Sequence, residues 1–402
     1  MISYKKTESE TLATFQEEIP SQYFSHKGED EFTSYVKKME HLYRHHLKFP
    51  PQMFDGAELI DFGAGTGENT IYLANWGAKC TLVEMNDKAQ KISKEVFSKY
   101  AKRPKDHTFV HSSIFEYSPT EKKQYDIVHC RGVLSHTSEK EKAFRIISSY
   151  VKPGGYVIFG DPNKAGGFQN MLQRYAIYSF GSTSDEMVDV SEFLFKEDID
   201  RSVEAVPRTR RAIIFDRWVI QQQDDPSVAE VHSWMTDNGL QMYTSYPSVL
   251  MPIMSDSYLD NKKNNSYMHQ NLFTVPELAW MMRTDNDFKF VPEIDRNLVD
   301  FTSAFGELTS FVANFNKGSL MNINDFNKRI DALVDSSTIT SLLGPLEDKM
   351  KLFTKEAVEF VRIVQNGDLN KVRLFIENAQ YLFKGAAGVR HVDFIGHKSN
   401  DS

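Results

Sequence analysis

Between Glu58 and Asp161 the apolar positions gather in short runs, and helical stretches of mixed polarity separate them. Short apolar runs alternating with amphipathic segments are the signature of parallel strands joined by crossover helices, because such strands are covered on both faces. The runs predict strands at Glu58–Phe62, Lys79–Glu84, Thr108–His111, Tyr125–Cys130 and Tyr156–Gly160, with helices starting near Asn69, Asp87 and Ser138. The last helix is expected to stop at Lys152-Pro153-Gly154-Gly155, followed by a tight turn. The fold class is therefore α/β, a doubly wound and mostly parallel sheet of Rossmann type.

The flanks read differently. Residues 1–57 are polar and aromatic, with Phe32, Tyr35, Val36, Met39, Leu42 and Tyr43 at helical spacing between Glu31 and Leu47, and are expected to form an N-terminal helical cap. The Rossmann-like core is assigned to 58–162, and 163–226 to a helical insert that covers it, with a helix over Phe168–Phe180. A core helix and strand follow in 227–248, the helix over Ser227–Asn238 and the strand over Leu240–Tyr246. Residues 249–388 read as irregular loop and then helices, for example Leu298–Phe315, Asn324–Val334 and Lys355–Val364. The alternation within Val389–Lys398 predicts a final strand that rejoins the sheet, which makes the helical stretch an insertion.

The chain of 402 residues is long enough for several structural units. Its net charge of −8 disfavours nucleic acid as a partner, although a local basic patch stays open. Cys80 and Cys130 lie in apolar runs without metal-ligand spacing, so they are expected to be reduced core thiols and no metal is expected. The N-terminal residues lack the apolar run of a signal peptide and no apolar stretch reaches membrane-spanning length, so the expected setting is cytoplasmic.

The first strand runs into Asp61-Phe62-Gly63-Ala64-Gly65-Thr66-Gly67, with glycine at every second position. Such a loop lets the backbone turn sharply and a ligand approach closely, and the helix after it offers free amides to an anion. The dinucleotide fingerprint has a different spacing, G-x-G-x-x-G. Next come Glu84 at the end of the second strand, where a carboxylate can accept both hydroxyls of a ribose, and Met85 after it. Ser113 and Ile114 follow the third strand, and Arg131 ends the fourth.

These motifs, in this order and over residues 58–161, resemble the class I S-adenosylmethionine-dependent methyltransferases. The resemblance implies S-adenosyl-L-methionine as cofactor, with Asp61, Gly63, Ala64, Gly65 and Gly67 around its methionine end, Glu84 and Met85 at the ribose, Ser113 and Ile114 at the adenine, and Arg131 near the methyl group. Ser113 departs from the family pattern, which has an aspartate there.

Methyl transfer needs an acceptor held in line and, for a hydroxyl or ammonium, a base. His136, beyond the fourth strand, and Asp161, at the end of the fifth, are the catalytic candidates; capping or packing would explain either as well. Tyr23, Arg211, Arg217 and Trp218 are the substrate-binding candidates, and Phe24, Tyr175 and Tyr178 could add to the same aromatic pocket. The arginines at 208, 210, 211 and 217 suit an anionic group, or else salt bridges to Asp198, Asp200 and Glu204. The expected acceptor is a small or glycan-like molecule methylated at oxygen, with RNA methylation, a nicotinamide-dependent oxidoreductase and a nonenzymatic binding module as alternatives.

Overall fold

A computed structural model describes residues 4–19, 29–119, 123–205, 208–249, 274–282, 298–315, 320–337, 345–384 and 391–399. Its centre is a sheet of seven strands: β1 (Glu58–Phe62), β2 (Lys79–Glu84), β3 (Thr108–His111), β4 (Tyr125–Arg131), β5 (Val151–Pro162), β6 (Leu240–Tyr246) and β7 (His391–Lys398). Their spatial order is β3-β2-β1-β4-β5-β7-β6, and only β7 runs antiparallel to its neighbours. The chain reverses direction across the sheet between β1 and β4, which leaves a crevice at the carboxyl ends of the strands where such sheets take ligands.

Helices cover both faces: α1 (Tyr4–Glu17), α2 (Glu29–His41), α3 (Ile71–Asn75), α4 (Asp87–Tyr100), α5 (Lys140–Ser148), α6 (Phe168–Phe180), α7 (Ser184–Ala205), α8 (Arg210–Ile214) and α9 (Val228–Asp237). Between β6 and β7 lie α10 (Thr274–Met282), α11 (Leu298–Ala313), α12 (Ile323–Ser337), α13 (Pro345–Gln365) and α14 (Leu369–Asn378). α4 starts where Asn86 caps it by accepting from the amides of Lys88 and Ala89, and α9 starts on a capping box between Ser227 and Glu230.

One apolar cluster fills each side of the sheet. Tyr43, Phe49, Phe54 and Tyr72 pack with Leu59, Leu82 and Ile127 on one face, and Phe144, Ile147 and Trp234 with Ile60, Val128 and Phe159 on the other. A third cluster is wholly helical. It joins α6, α7 and the turn after α8 to α10–α14, so that residues distant in sequence, such as Leu172, Trp218, Phe305 and Phe353, share one core. Buried Gln169 stitches the ends of this body together: its amide donates to the Met281 carbonyl (3.1 Å) and its oxygen accepts from the Phe383 amide (2.8 Å).

Three expectations change. Lys152-Pro153-Gly154-Gly155 is the opening of β5 rather than a turn before it, with Gly154 at positive φ. Gly155 allows close pairing there, since a Cβ would lie 2.7 Å from the Asp126 carbonyl oxygen. The expected helix Lys355–Val364 is the second half of the longer α13. A helix also forms at Tyr4–Glu17, where polar residues hide the few apolar contacts made by Leu12 and Phe15. The irregular segment after residue 249 and the start of the last expected strand, Val389 and Arg390, lie outside the described residues.

The Trp218 indole is fully buried in the helical core and tilted against Phe195 at 5.6 Å. Trp218→Ala is expected to destabilise the chain by about 3–5 kcal/mol, read as a lowered midpoint in urea unfolding followed by circular dichroism.

Candidate cofactor and acceptor site

Gly63, Gly65 and Gly67 all take positive φ, at 71°, 54° and 72°. A Cβ on Gly63 would lie 2.5 Å from Val133 Cγ2, and one on Gly67 2.5 Å from Ser93 Oγ, so glycine is required both for the turn and for the close neighbours. The loop is fixed from below. The buried Asp61 carboxylate accepts from Thr70 Oγ1, past the loop, and from His129 Nδ1 at 2.7 Å on β4. Asp61 therefore holds the loop in shape and is not among the residues that line the cavity. Gly67 also turns away from the cavity, toward α4.

Above the loop lies a cavity of about 680 Å³, within the size range of small-molecule sites. At one end are Gly63, Ala64, Gly65, Glu84, Met85, Ser113 and Ile114. Glu84 accepts from the amides of Gly65 and Asn86, each at 2.7 Å. Burial pushes its carboxyl above the ordinary range, and these amides oppose the shift. A carboxylate has about four acceptor positions, so these bonds leave it capacity to accept from a ligand. Ser113 is buried, and its hydroxyl accepts from the Glu116 amide at 3.3 Å.

Toward the middle stands Arg131, whose Nε and Nη2 donate to Asp393 on β7 at 2.6 and 2.9 Å. The guanidinium holds the Asp393 carboxyl far below its usual range despite burial. His136 is also on the wall. Its Nδ1 lies 3.1 Å from the Gln222 carbonyl, its own carbonyl accepts from Thr11 Oγ1, and Phe15 meets its ring edge-on. Helix α1 thus crosses the cavity as a strap. Its far end is tied down where Asn86 Nδ2 donates to the Phe15 carbonyl and Lys88 Nζ to that of Gln16.

Asp161 is not on the wall. Its side chain is buried beneath it, with Oδ2 accepting from the Ser135 amide. Burial, followed by the charge of Asp225, pushes its pKa up to about 8. It holds a proton at neutral pH and is poorly placed to act as a base there.

The four arginines separate. Arg208 and Arg217 line the far end of the cavity, Arg208 paired with Asp216 at 2.9 Å and Arg217 with Asp198 at 2.9 Å. Arg217 also donates to Ser202 and Asn170. Arg210 pairs with Glu192 and Asp200. Arg211 is off the cavity, bound to Glu17, Glu18 and Asp185. Trp218 is a core residue and not a pocket wall, and Tyr23 and Phe24 lie outside the described residues. Tyr175 is fully buried and Tyr178 donates to the Trp218 carbonyl, so both serve the helical core. Residues without a motif also reach the cavity: Leu12 and Phe15 of α1, Tyr35 and Lys38 of α2, and His391 and Asp393 of β7. The only available sign of the last pair was their position at the start of a strand expected to rejoin the sheet. Cys80 and Cys130 are buried free thiols whose pKa burial pushes up.

A seven-stranded sheet in this order, with its last strand reversed and a glycine loop after β1, defines a class I methyltransferase fold. The profile of the methyltransferase domain matches residues 35–293, and the chain belongs to that family. It is similar to the ubiquinone biosynthesis O-methyltransferase of Nitrosospira multiformis, 28% identical over 109 residues that cover 27% of this chain and 44% of that one. It is also similar to the sarcosine/dimethylglycine N-methyltransferase of Halorhodospira halochloris, 24% identical over 153 residues, 36% of this chain and 54% of that one. The chain thus spans about half the length of these relatives. Among solved structures, the magnesium protoporphyrin IX methyltransferase of Synechocystis with bound S-adenosylmethionine shares 13% identity over 53% of this chain and 72% of that one, at a TM-score of 0.33. Among the described residues no helix is long and apolar enough to cross a membrane.

Between about pH 4 and pH 8 the folded chain keeps a proton on Asp161 that the unfolded chain releases, so this group lowers stability as pH rises through that window. Asp161→Asn is expected to lose less stability than the parent chain between pH 5 and pH 8, measured as urea midpoints at both values.

Proposed function

We propose that the chain is an S-adenosylmethionine-dependent methyltransferase acting on a polar small molecule, with oxygen as the preferred acceptor atom. The observation that carries this is the pairing of a positive-φ glycine loop with a buried strand-end glutamate on one cavity wall. The cofactor fits what surrounds that wall. Gly63–Gly65 leave room for its methionine end, Glu84 keeps capacity to accept from the ribose, and Ile114 and Met85 offer apolar contact to an adenine. Bound there, S-adenosylmethionine supplies an electrophilic methyl group on a sulfonium that carries its own leaving group.

The chain's own residues then have to seat the acceptor, exclude water and take a proton. Seating falls to the far end, where Arg208 and Arg217 each face an aspartate. Such balanced pairs favour an acceptor bearing both donor and acceptor groups. An anionic group would compete with Asp216 for Arg208 and with Asp198 for Arg217. Water exclusion falls to α1, whose Leu12 and Phe15 roof the cavity. Of the two sequence candidates for a base, only His136 reaches the cavity wall. Its Nδ1 donates to the Gln222 carbonyl, which leaves Nε2 with the lone pair.

The test is calorimetric titration with S-adenosylmethionine and, separately, with NAD. The parent chain is expected to bind S-adenosylmethionine and not NAD. Glu84→Ala removes charge-assisted bonds worth about 1.5–3 kcal/mol, a loss of roughly tenfold to hundredfold in affinity. Gly65→Arg fills the cradle and is expected to abolish binding. A folded parent chain that binds NAD or neither ligand would overturn the assignment.

A further inference from the structure

The cavity wall holds a second histidine that no sequence motif marks. His391 opens β7, opposite Pro162 of β5, and both residues line the cavity. Its Nε2 lies 3.3 Å from Asp393 Oδ1, and its Nδ1 has no protein partner among the described residues. The other groups around it are Arg131 on β4, Tyr246 on β6 in register with Asp393, Lys38 of α2 on the same cavity, and the phenols of Tyr43 and Tyr72, which feel the field of Arg131 and Asp393.

Three features make this arrangement a base. The bidentate bond from Arg131 keeps Asp393 ionised, so it presents an acceptor oxygen to His391 Nε2–H. That bond selects the tautomer whose lone pair is on Nδ1. A full carboxylate also stabilises the imidazolium formed on protonation. Gly160 beneath the group is needed for its assembly, since a Cβ there would lie 2.8 Å from His391 Nε2. His136, with Thr11 on its carbonyl and Phe15 against its ring, is built into the seam of the α1 strap.

We propose that His391, oriented by Asp393, is the catalytic base that removes the acceptor's proton, and that His136 serves to seat α1. The proposal rests on the methyltransferase reading. As the acceptor oxygen forms its bond to the methyl carbon, the carbon–sulfur bond breaks and its electron pair stays on sulfur. The hydroxyl proton passes to His391 Nδ1, and the imidazolium later gives it to solvent. Asp393 is a positioning residue and stays unprotonated throughout.

The experiment uses the full chain labelled with 15N-histidine and saturated with S-adenosylhomocysteine. Long-range 1H–15N spectra are recorded against pH, and the His391 signals are assigned by their absence in His391→Gln. The expected result is a neutral His391 protonated on Nε2, a preference lost in Asp393→Ala. A neutral His391 protonated on Nδ1, or a tautomer unmoved by Asp393→Ala, overturns the proposal. In parallel, transfer of labelled methyl to a defined mixture of phenols, hydroxy acids and secondary amines is followed. His391→Gln is expected to lower turnover by about 100-fold or more and to remove the acid limb of the pH profile, with S-adenosylmethionine affinity unchanged; His136→Gln keeps that limb. Turnover that survives in His391→Gln and is lost in His136→Gln reverses the roles. If no acceptor in the mixture reacts, the tautomer decides. Failure of the parent chain to bind S-adenosylmethionine removes the underlying reading, an outcome distinct from any result on His391.

Discussion

A buried carboxylate at the end of β1 sets the geometry on which the site depends. Asp61 is taken out of water at a cost that only good partners offset, and it has two: a hydroxyl from beyond the glycine loop and an imidazole on the adjacent strand. The three attachment points belong to β1, β4 and the segment leading into α3, so the loop between them has little freedom. Its amides consequently face the Val83 carbonyl and the Glu84 carboxylate at ordinary hydrogen-bond distances. The cradle exists before any ligand arrives, which is the condition for binding without a large ordering cost.

The rest of the molecule shapes what can reach that cradle. The sheet supplies the floor along its carboxyl edge, where Gly63, Arg131, Pro162, His391 and Tyr246 come from five different strands or the turns that follow them. The helical body supplies the far wall, and it behaves as one unit because α6 packs against both α11 and α13. The far wall is thus built on a scaffold separate from the glycine loop and Glu84.

Sequence reading recovered what local pattern controls. The strands β1 to β4 and β6, and the helix α6, follow directly from apolar periodicity and end signals. The positions of Glu84 and the glycine loop follow because a strand-end location is a local property. Harder to read were features that depend on chain segments meeting from afar. Trp218 and Arg211 carry the chemistry of a pocket residue, yet one is drawn into a core that includes α11–α13 and the other onto α1. The side-chain direction of Asp61 is fixed by His129, 68 positions away. His391 and Asp393 gained significance only when β7 inserted between β5 and β6, a pairing that no local window contains.

The strap α1 differs from the core in the kind of force that holds it. Arg211 reaches it through Glu17 and Glu18, and all of these side chains are at least partly exposed. Pairs of that kind weaken with dissolved salt, since counterions compete within about a Debye length, roughly 10 Å at 0.1 M. The bonds of Asp61 and Glu84 are sheltered from counterions by burial. Dissolved salt therefore weakens the grip of Arg211 on the end of α1, while the bonds that Thr11 and Asn86 make to or from that helix, and the floor beneath it, are much less affected.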